Sequence, residues 1–375
     1  MSALSQNSSN ERTIPSLDGL RAFSVLFVIL GHTRSTFLDG LPFLRPFRDG
    51  ELGVNVFFVI SGFLITQILL READSYGHVS VGRFYIRRAF RIFPPFYAFL
   101  AVVSCLRIAH VYSFEWRSLF SAATYIWNYN LHTAGWILAH TWSLSLEEQF
   151  YLVWPACIVM FSRRACLRIS QAAVVLSPIS RVGTYFLFPA WRGHMNMMLH
   201  THIDTIMVGC FIAIAWNLHL FPRVFQSLTR PYWLIPISGY LFIAGPYLGR
   251  RYAGTFGLPV GITLTSLCCG AILVYVVRAP ESVLGRILNK RWIKHLGVIS
   301  YSLYLWQQMF TGPCTIPFPL NVLFILLCAE ASYWLVEKPF NRLRDKVTGT
   351  VRGRRKTERT VEDGVGYEPV FNSHE

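Results

Sequence analysis

Charged residues are scarce in this chain of 375 residues: Asp, Glu, Lys and Arg make up 15% of it, where an ordinary soluble domain carries about 25%. Acidic side chains are the rarer sign, 20 against 35 Lys and Arg. The local signatures of soluble catalytic and nucleotide sites are missing too. No G-x-S-x-G, P-loop, H-E-x-x-H or G-x-G-x-x-G pattern stands in a setting that would support it, which leaves no nucleophile elbow, phosphate-cradling loop, helical zinc pair or dinucleotide turn. The eight cysteines (Cys105, Cys157, Cys166, Cys210, Cys268, Cys269, Cys314 and Cys328) lie mostly in apolar stretches and never at C-x-x-C spacing. Neither a zinc site nor a disulfide framework is indicated.

What fills the chain instead is apolar: 53% of the residues are hydrophobic and runs of near-spanning length recur from end to end. These features predict an all-α fold, a polytopic transmembrane helical bundle of about ten spans. The candidate spans are 15–35, 52–70, 90–109, 143–161, 169–189, 202–219, 232–249, 257–277, 296–313 and 318–337. The weakest is 169–189, which Pro178 and Arg181 interrupt. A polar N-terminus over 1–13, a membrane domain over 14–344 and a basic, then polar and disordered tail over 345–375 account for the whole chain, with no room for a second globular domain. The first apolar segment has no basic region before it and no small-residue cleavage site after it, so it reads as a retained span rather than a signal peptide.

A net charge of +15 could suggest nucleic acid, but in a multi-span protein excess Lys and Arg mark cytoplasmic loops, and no nucleic-acid partner is expected. Placing both termini in the cytoplasm puts Arg83, Arg87, Arg88 and Arg91, then Arg163, Arg164 and Arg168, then Arg286, Lys290, Arg291 and Lys294 inside. That assignment requires the short apolar stretch 119–129 to be re-entrant or interfacial, because a crossing there would move the later clusters outside.

Polar groups within the apolar segments carry the functional signal. Arg21 and His32 lie eleven positions apart in SLDGLRAFSVLFVILGHT. In a helix that is about three turns, so both face one interior surface, separated by about 16 Å of rise. In GRFYIRRAFRIFPPFY, Arg87, Arg88 and Arg91 fall at i, i+3 and i+4 spacings and form one cationic patch suited to paired bonds with phosphate oxygens. On the outer side the topology gathers Glu51 and Asn55, Ser143, Glu147 and Glu148, and His202 and Asp204 at a depth similar to His32. Glu147, one turn after Ser143, could orient or charge-stabilise an imidazole, with Glu148 as its surface neighbour. Each group also has a plainer reading: Arg21 as a snorkelling residue, the arginines as positive-inside anchors, Glu147 as an acid near a helix N-terminus, Ser61 and Gly62 as close helix packing, and Trp136 as an interfacial belt residue. His202 and Asp204, two apart, do not share a helix face and are no ready-made dyad.

Taken together and in order, the segments PSLDGLRAFSVLFVILGH, GVNVFFVISGFLIT, FYIRRAFRIFPPFY, TWSLSLEEQFYLVWP, HIDTIMVG, ISYSLYLWQ and VEKPF match a known pattern. From about Ile14 to Arg344 the chain resembles the acyltransferase family 3 integral membrane proteins, which include bacterial O-antigen and exopolysaccharide O-acetyltransferases. The resemblance implies a multi-pass protein of the bacterial inner (plasma) membrane. It would use acetyl-CoA or another acyl-CoA as a donor substrate rather than a permanently bound cofactor, and acylate a hydroxyl of a carbohydrate or lipid-linked glycan. It assigns His32 as the catalytic histidine with Glu147 as a further functional acid, and Arg21, Arg88 and Arg91 to the donor side. Three positions depart from the family pattern: Asn55 stands where many relatives have Asp, Gln307 where a histidine commonly closes SYSLYLWH, and His202 where an Arg often precedes the Asp. Some relatives also carry a C-terminal extracytoplasmic hydrolase-like domain, which this chain is not expected to contain.

The mechanism so implied has the arginine patch hold the phosphates of acyl-CoA while a neutral His32 deprotonates the acceptor hydroxyl or carries the acyl group, with Glu147 stabilising the resulting imidazolium. A transporter or flippase is the alternative, but no internal repeat or matched pair of Gly/Pro-broken spans supports it.

Overall fold

The computed structural model describes residues 14, 16–33, 40–41, 47–130, 135–312 and 316–348. The expected polar start, the tail beyond 348, Arg34, Arg45 and Cys314 lie outside the described residues. Among the described residues every regular element is helical. The principal helices are α1 (Leu17–His32), α2 (Gly50–Tyr76), α3 (Val81–Ile108), α4 (Trp116–Ala123), α5 (Thr141–Met160), α6 (Arg163–Leu187), α7 (Leu199–Asn217), α8 (Ile262–Arg278), α9 (Arg291–Val298), α10 (Ser300–Gln307) and α11 (Leu320–Ser332). Five helical stretches are long and apolar enough to cross a membrane: Gly50–Tyr76, Val81–Ile108, Met195–Asn217, Gly254–Arg278 and Leu320–Val347. The other expected spans are also helical, but α1 is only 16 residues long, and α5 and α6 carry Glu147, Glu148 and Arg181.

Apolar side chains cover the outside of the bundle as well as its core. Leu152, Val153, Val159 and Met160 of α5 are exposed, whereas Ser145, Thr205, His202, Asp204 and Arg181 are buried. A chain solvated by hydrocarbon has this distribution, since its polar groups must find partners within the bundle.

Helix α2 is the central post, packed most extensively against α7 and then α1. Its start is capped by Asp49, whose carboxylate accepts from the Leu52 amide at 3.0 Å. Glycine sets the closeness of the α2–α7 contact: a Cβ at Gly62 would stand 2.0 Å from the Ile206 carbonyl oxygen, and one at Gly209 2.1 Å from that of Val59. Backbone therefore meets backbone, as small residues permit between membrane helices.

The far ends of α2 and α7 meet the start of α6, where Arg163 pairs with Asp74 and donates to Asn217 Oδ1 at 2.7 Å. At the opposite end of α2, Gly50 lies against His32 and Asn55 bonds His202. Successive helices thus alternate in direction. Segment 116–129 does not add a crossing, since α4 has eight residues and rises only about 12 Å. It dips into the bundle beside the middle of α3, where Tyr97 donates to the Ala123 carbonyl at 2.9 Å and Tyr125 stacks on Phe96. The chain then returns to the level of His32 at Trp136.

Two consecutive segments are interrupted by π-helix, at Tyr240–Ala244 and Gly257–Gly261. No matched pair of Gly/Pro-broken spans is expected from the sequence. The two interruptions are neighbours in sequence and do not stand at corresponding positions of two halves.

Candidate functional site

Four of the five residues singled out from the sequence line one cavity of about 90 Å³ inside the bundle: Arg21 of α1, Arg88 and Arg91 of α3, and Glu147 of α5. Helical spacing explains the arginine pair, because i and i+3 share a face and direct both guanidiniums towards α5 and α10. Arg88 lies over the Tyr151 ring, 4.6 Å from its centroid. A desolvated cation gains stabilisation on an aromatic face. Arg21 keeps Asp18 at 3.7 Å, one turn back on its own helix. Arg87 does not join the patch, contrary to the expectation of a three-arginine cluster, since it pairs with Glu72 at 3.1 Å.

Glu147 accepts from the Ser61 hydroxyl at 2.6 Å, and Tyr151 in turn donates to Ser61 at 3.2 Å. The serine read from sequence as packing therefore anchors the carboxylate, and only Gly62 makes the helix contact. Glu148, expected at the surface, lines the same cavity. The far wall is built by Ser143 and by Ser300, Tyr301 and Tyr304 of α10. The Ser143 and Tyr304 hydroxyls share a bond of 2.5 Å, one donating to the other, and the His140 carbonyl, within reach of both at 3.1 and 3.0 Å, accepts from the other hydroxyl.

His32 is placed elsewhere. The expected pairing of His32 with Glu147 is not formed: the carboxylate sits at the Arg21 end of α1, while His32 closes the other end of that helix. The histidine's ring nitrogen Nδ1 instead meets Gln307 Oε1 at 3.1 Å, and Trp136 lies edge-on to the ring at a centroid distance of 5.2 Å. Trp136 is thus a wall of the histidine's pocket rather than an interfacial belt residue. Gln307 follows Tyr304 by one turn of α10, so the first cavity ends about one turn short of the histidine.

The set of polar groups expected at one depth accordingly divides. Ser61 lies six residues below Asn55 on α2, about 9 Å deeper, and Glu147 goes with it. Glu51 and Asn55 line a second cavity of about 370 Å³, together with Asp49, Asn196, Tyr240 and Thr265 and the glycine-rich interrupted segments. His202 bonds Asn55 Oδ1 at 2.9 Å. Asp204 turns to a different partner: Arg181 donates to both its oxygens, at 3.1 and 3.0 Å, and to the Thr201 and Leu258 carbonyls at 2.7 Å. Arg181, which weakened its segment as a span, is fully buried and compensated. Among the described residues no group of His, Cys, Asp and Glu is arranged to hold a metal ion.

The site and fold define a multi-pass helical membrane protein with a cationic cavity inside its bundle and a histidine at the far end of a helix that lines it. The family model for the acyltransferase domain matches residues 14–335, and the chain belongs to that family. Relatives include the O-acetyltransferase OatA of Staphylococcus aureus, 29% identical over 366 residues, which takes in 88% of this chain and 58% of the relative. The peptidoglycan O-acetyltransferase OatA of Listeria monocytogenes is 26% identical, over 89% and 56% of the two chains. The putative peptidoglycan O-acetyltransferase YrhL of Bacillus subtilis is 28% identical, over 88% and 55%. The chain therefore spans little more than half the length of these relatives. No solved structure matches it.

Proposed function

We propose that this chain is a ten-span bacterial inner-membrane O-acetyltransferase, with both termini cytoplasmic, that moves an acetyl group from acetyl-CoA to a hydroxyl of a cell-envelope glycan. The observation that carries this reading is the convergence of Arg21, Arg88 and Arg91 in one intramembrane cavity. Cations at such depth are costly, and a ligand bearing several phosphates offsets that cost through paired guanidinium bonds. Helix α1 then sets the distance to the reaction centre, since Arg21 and His32 are about 16 Å apart along it. An extended phosphopantetheine arm bridges a gap of this order.

The acceptor enters through the second cavity. Its carboxylates and amides suit sugar hydroxyls, and no Lys or Arg is among its described lining residues. His32 takes the proton from the acceptor hydroxyl, the freed oxygen bonds to the thioester carbonyl carbon, the C–S bond breaks, and the CoA thiolate leaves with the proton returned by His32. Glu147, held by Ser61, balances the guanidiniums in the donor cavity and takes no part at the imidazole. The glycan assignment rests on the relatives' names, two of which specify peptidoglycan.

Membranes containing the protein, given acetyl-CoA labelled in the acetyl group, should transfer label to peptidoglycan fragments and release free CoA in equal amount. Movement of a glycan across the membrane without CoA release would identify a flippase instead.

A further inference from the structure

We infer that Gln307 and Gln308 fix the tautomer of His32, holding its proton on Nδ1 and presenting the Nε2 lone pair as the base. The inference rests on the reading of His32 as the proton acceptor in acyl transfer, and concerns two residues to which that reading assigns no role.

A chain of hydrogen bonds runs from His32 to the Trp136 backbone, and its far end admits one polarity. The Trp136 backbone carbonyl can only accept, and Gln308 Nε2 lies 2.9 Å from it. The Gln308 amide must therefore turn its NH2 to Trp136 and its Oε1 away. The same two residues are tied a second time, by the Trp136 indole donating to the Gln308 carbonyl at 3.1 Å, so neither is free to rotate. Gln308 Oε1 faces Gln307 Nε2 at 2.7 Å, which orients the second amide in the same sense. Gln307 Oε1 is then the atom left facing His32 Nδ1, at 3.1 Å. An acceptor there requires a proton on Nδ1, and a neutral imidazole carries only one.

The surroundings hold this relay in place. Both glutamines are buried. Gly312 donates its amide to the His32 carbonyl at 2.9 Å, at a φ of 66°. A Cβ at Gly312 would stand 2.3 Å from the Trp136 ring, so glycine is needed both for the turn and for the indole that anchors Gln308. On the other side of the imidazole, the position of a Cβ on Gly50 is 3.6 Å from Nε2. The residues flanking Gly50, Asp49 and Glu51, line the second cavity. The relay thus grips the face of the ring turned away from the α2 N-terminus and leaves the basic nitrogen on the side of the acceptor cavity. A neutral amide pair does this without placing a charge beside the histidine.

The test uses the full chain in lipid nanodiscs with 15N-histidine. The resonances that disappear in His32→Gln belong to His32, and their 15N shifts should report a protonated Nδ1 and an unprotonated Nε2. Gln307→Leu should lower kcat for acetyl transfer by about 10- to 100-fold with KM for acetyl-CoA unchanged, and should convert the His32 signals to a mixture of tautomers. Gln308→Leu, which does not touch the histidine, should give the same spectral change with a smaller loss of kcat. A proton on Nε2 in the wild-type protein, or an unaltered kcat in Gln307→Leu, would overturn the inference. Failure of the reading beneath it shows separately, as no acetyl transfer by the wild type or as wild-type turnover in His32→Ala, and leaves the tautomer measurement standing.

Discussion

At the scale of single residues, Arg21 and His32 stand at opposite ends of α1 as their spacing predicts, while Glu147, expected beside the histidine, lies with the arginines. Arg21 and His32 were legible because their relation is local: eleven positions on one helix fix both the shared face and the distance. Arg88 and Arg91 were legible for the same reason. The partners were not. Ser61 and Glu147 are 86 positions apart, and His32 and Gln307 are 275 apart, so only packing decides which carboxyl or amide meets which group. Two predictions belong here. His32→Ala should reduce acetyl transfer to background, a loss of about 100-fold or more, while membrane insertion and abundance stay as in the wild type by immunoblot. Arg88→Ala and Arg91→Ala should each raise KM for acetyl-CoA by about tenfold, and Lys at either position should restore only part of the affinity, because a point charge does not reproduce a paired guanidinium bond. Steady-state kinetics against acetyl-CoA concentration checks both substitutions.

At the scale of elements, the apolar segments announced helices correctly, but the polar residues inside them were misread where compensation comes from another helix. Arg181 looked like a defect in its span. In the fold it joins α6 to α7 through Asp204 and reaches the Leu258 carbonyl in the interrupted segment before α8. Removing one partner from such a buried pair leaves an uncompensated charge, whereas replacing both with apolar side chains removes the need for the pair. Arg181→Met should therefore destabilise the protein by about 3–5 kcal/mol, and Arg181→Met with Asp204→Leu should recover most of that loss. Thermal unfolding in detergent reads both. The stretch 119–129, expected to be re-entrant or interfacial because a crossing there would reverse every later basic loop, holds only the short helix α4 and a single further turn.

At the scale of the whole molecule, charge bias and helix alternation point to one sidedness. Arg163, Asp74 and Asn217 meet at one end of the bundle, as the expected cytoplasmic placement of the loops after α2, α5 and α7 requires. Single cysteines near 163 and 290, in a background lacking the native cysteines, should stay unlabelled by an impermeant thiol reagent on intact cells, while cysteines near 48 and 250 should react. Reaction at 163 and 290 would reverse the orientation and put the arginine cavity on the wrong side for a cytoplasmic donor. The division of labour along α1, donor binding at Arg21 and chemistry at His32, is the claim on which the rest depends. Equilibrium binding of labelled CoA and single-turnover acetyl transfer, measured on the same nanodisc preparations of wild type, His32→Ala and Arg88→Ala/Arg91→Ala, test it most directly. The account predicts that His32→Ala binds CoA as the wild type does yet transfers nothing, and that the double arginine variant loses CoA binding. Transfer by His32→Ala, or undiminished CoA binding without the two arginines, would contradict it.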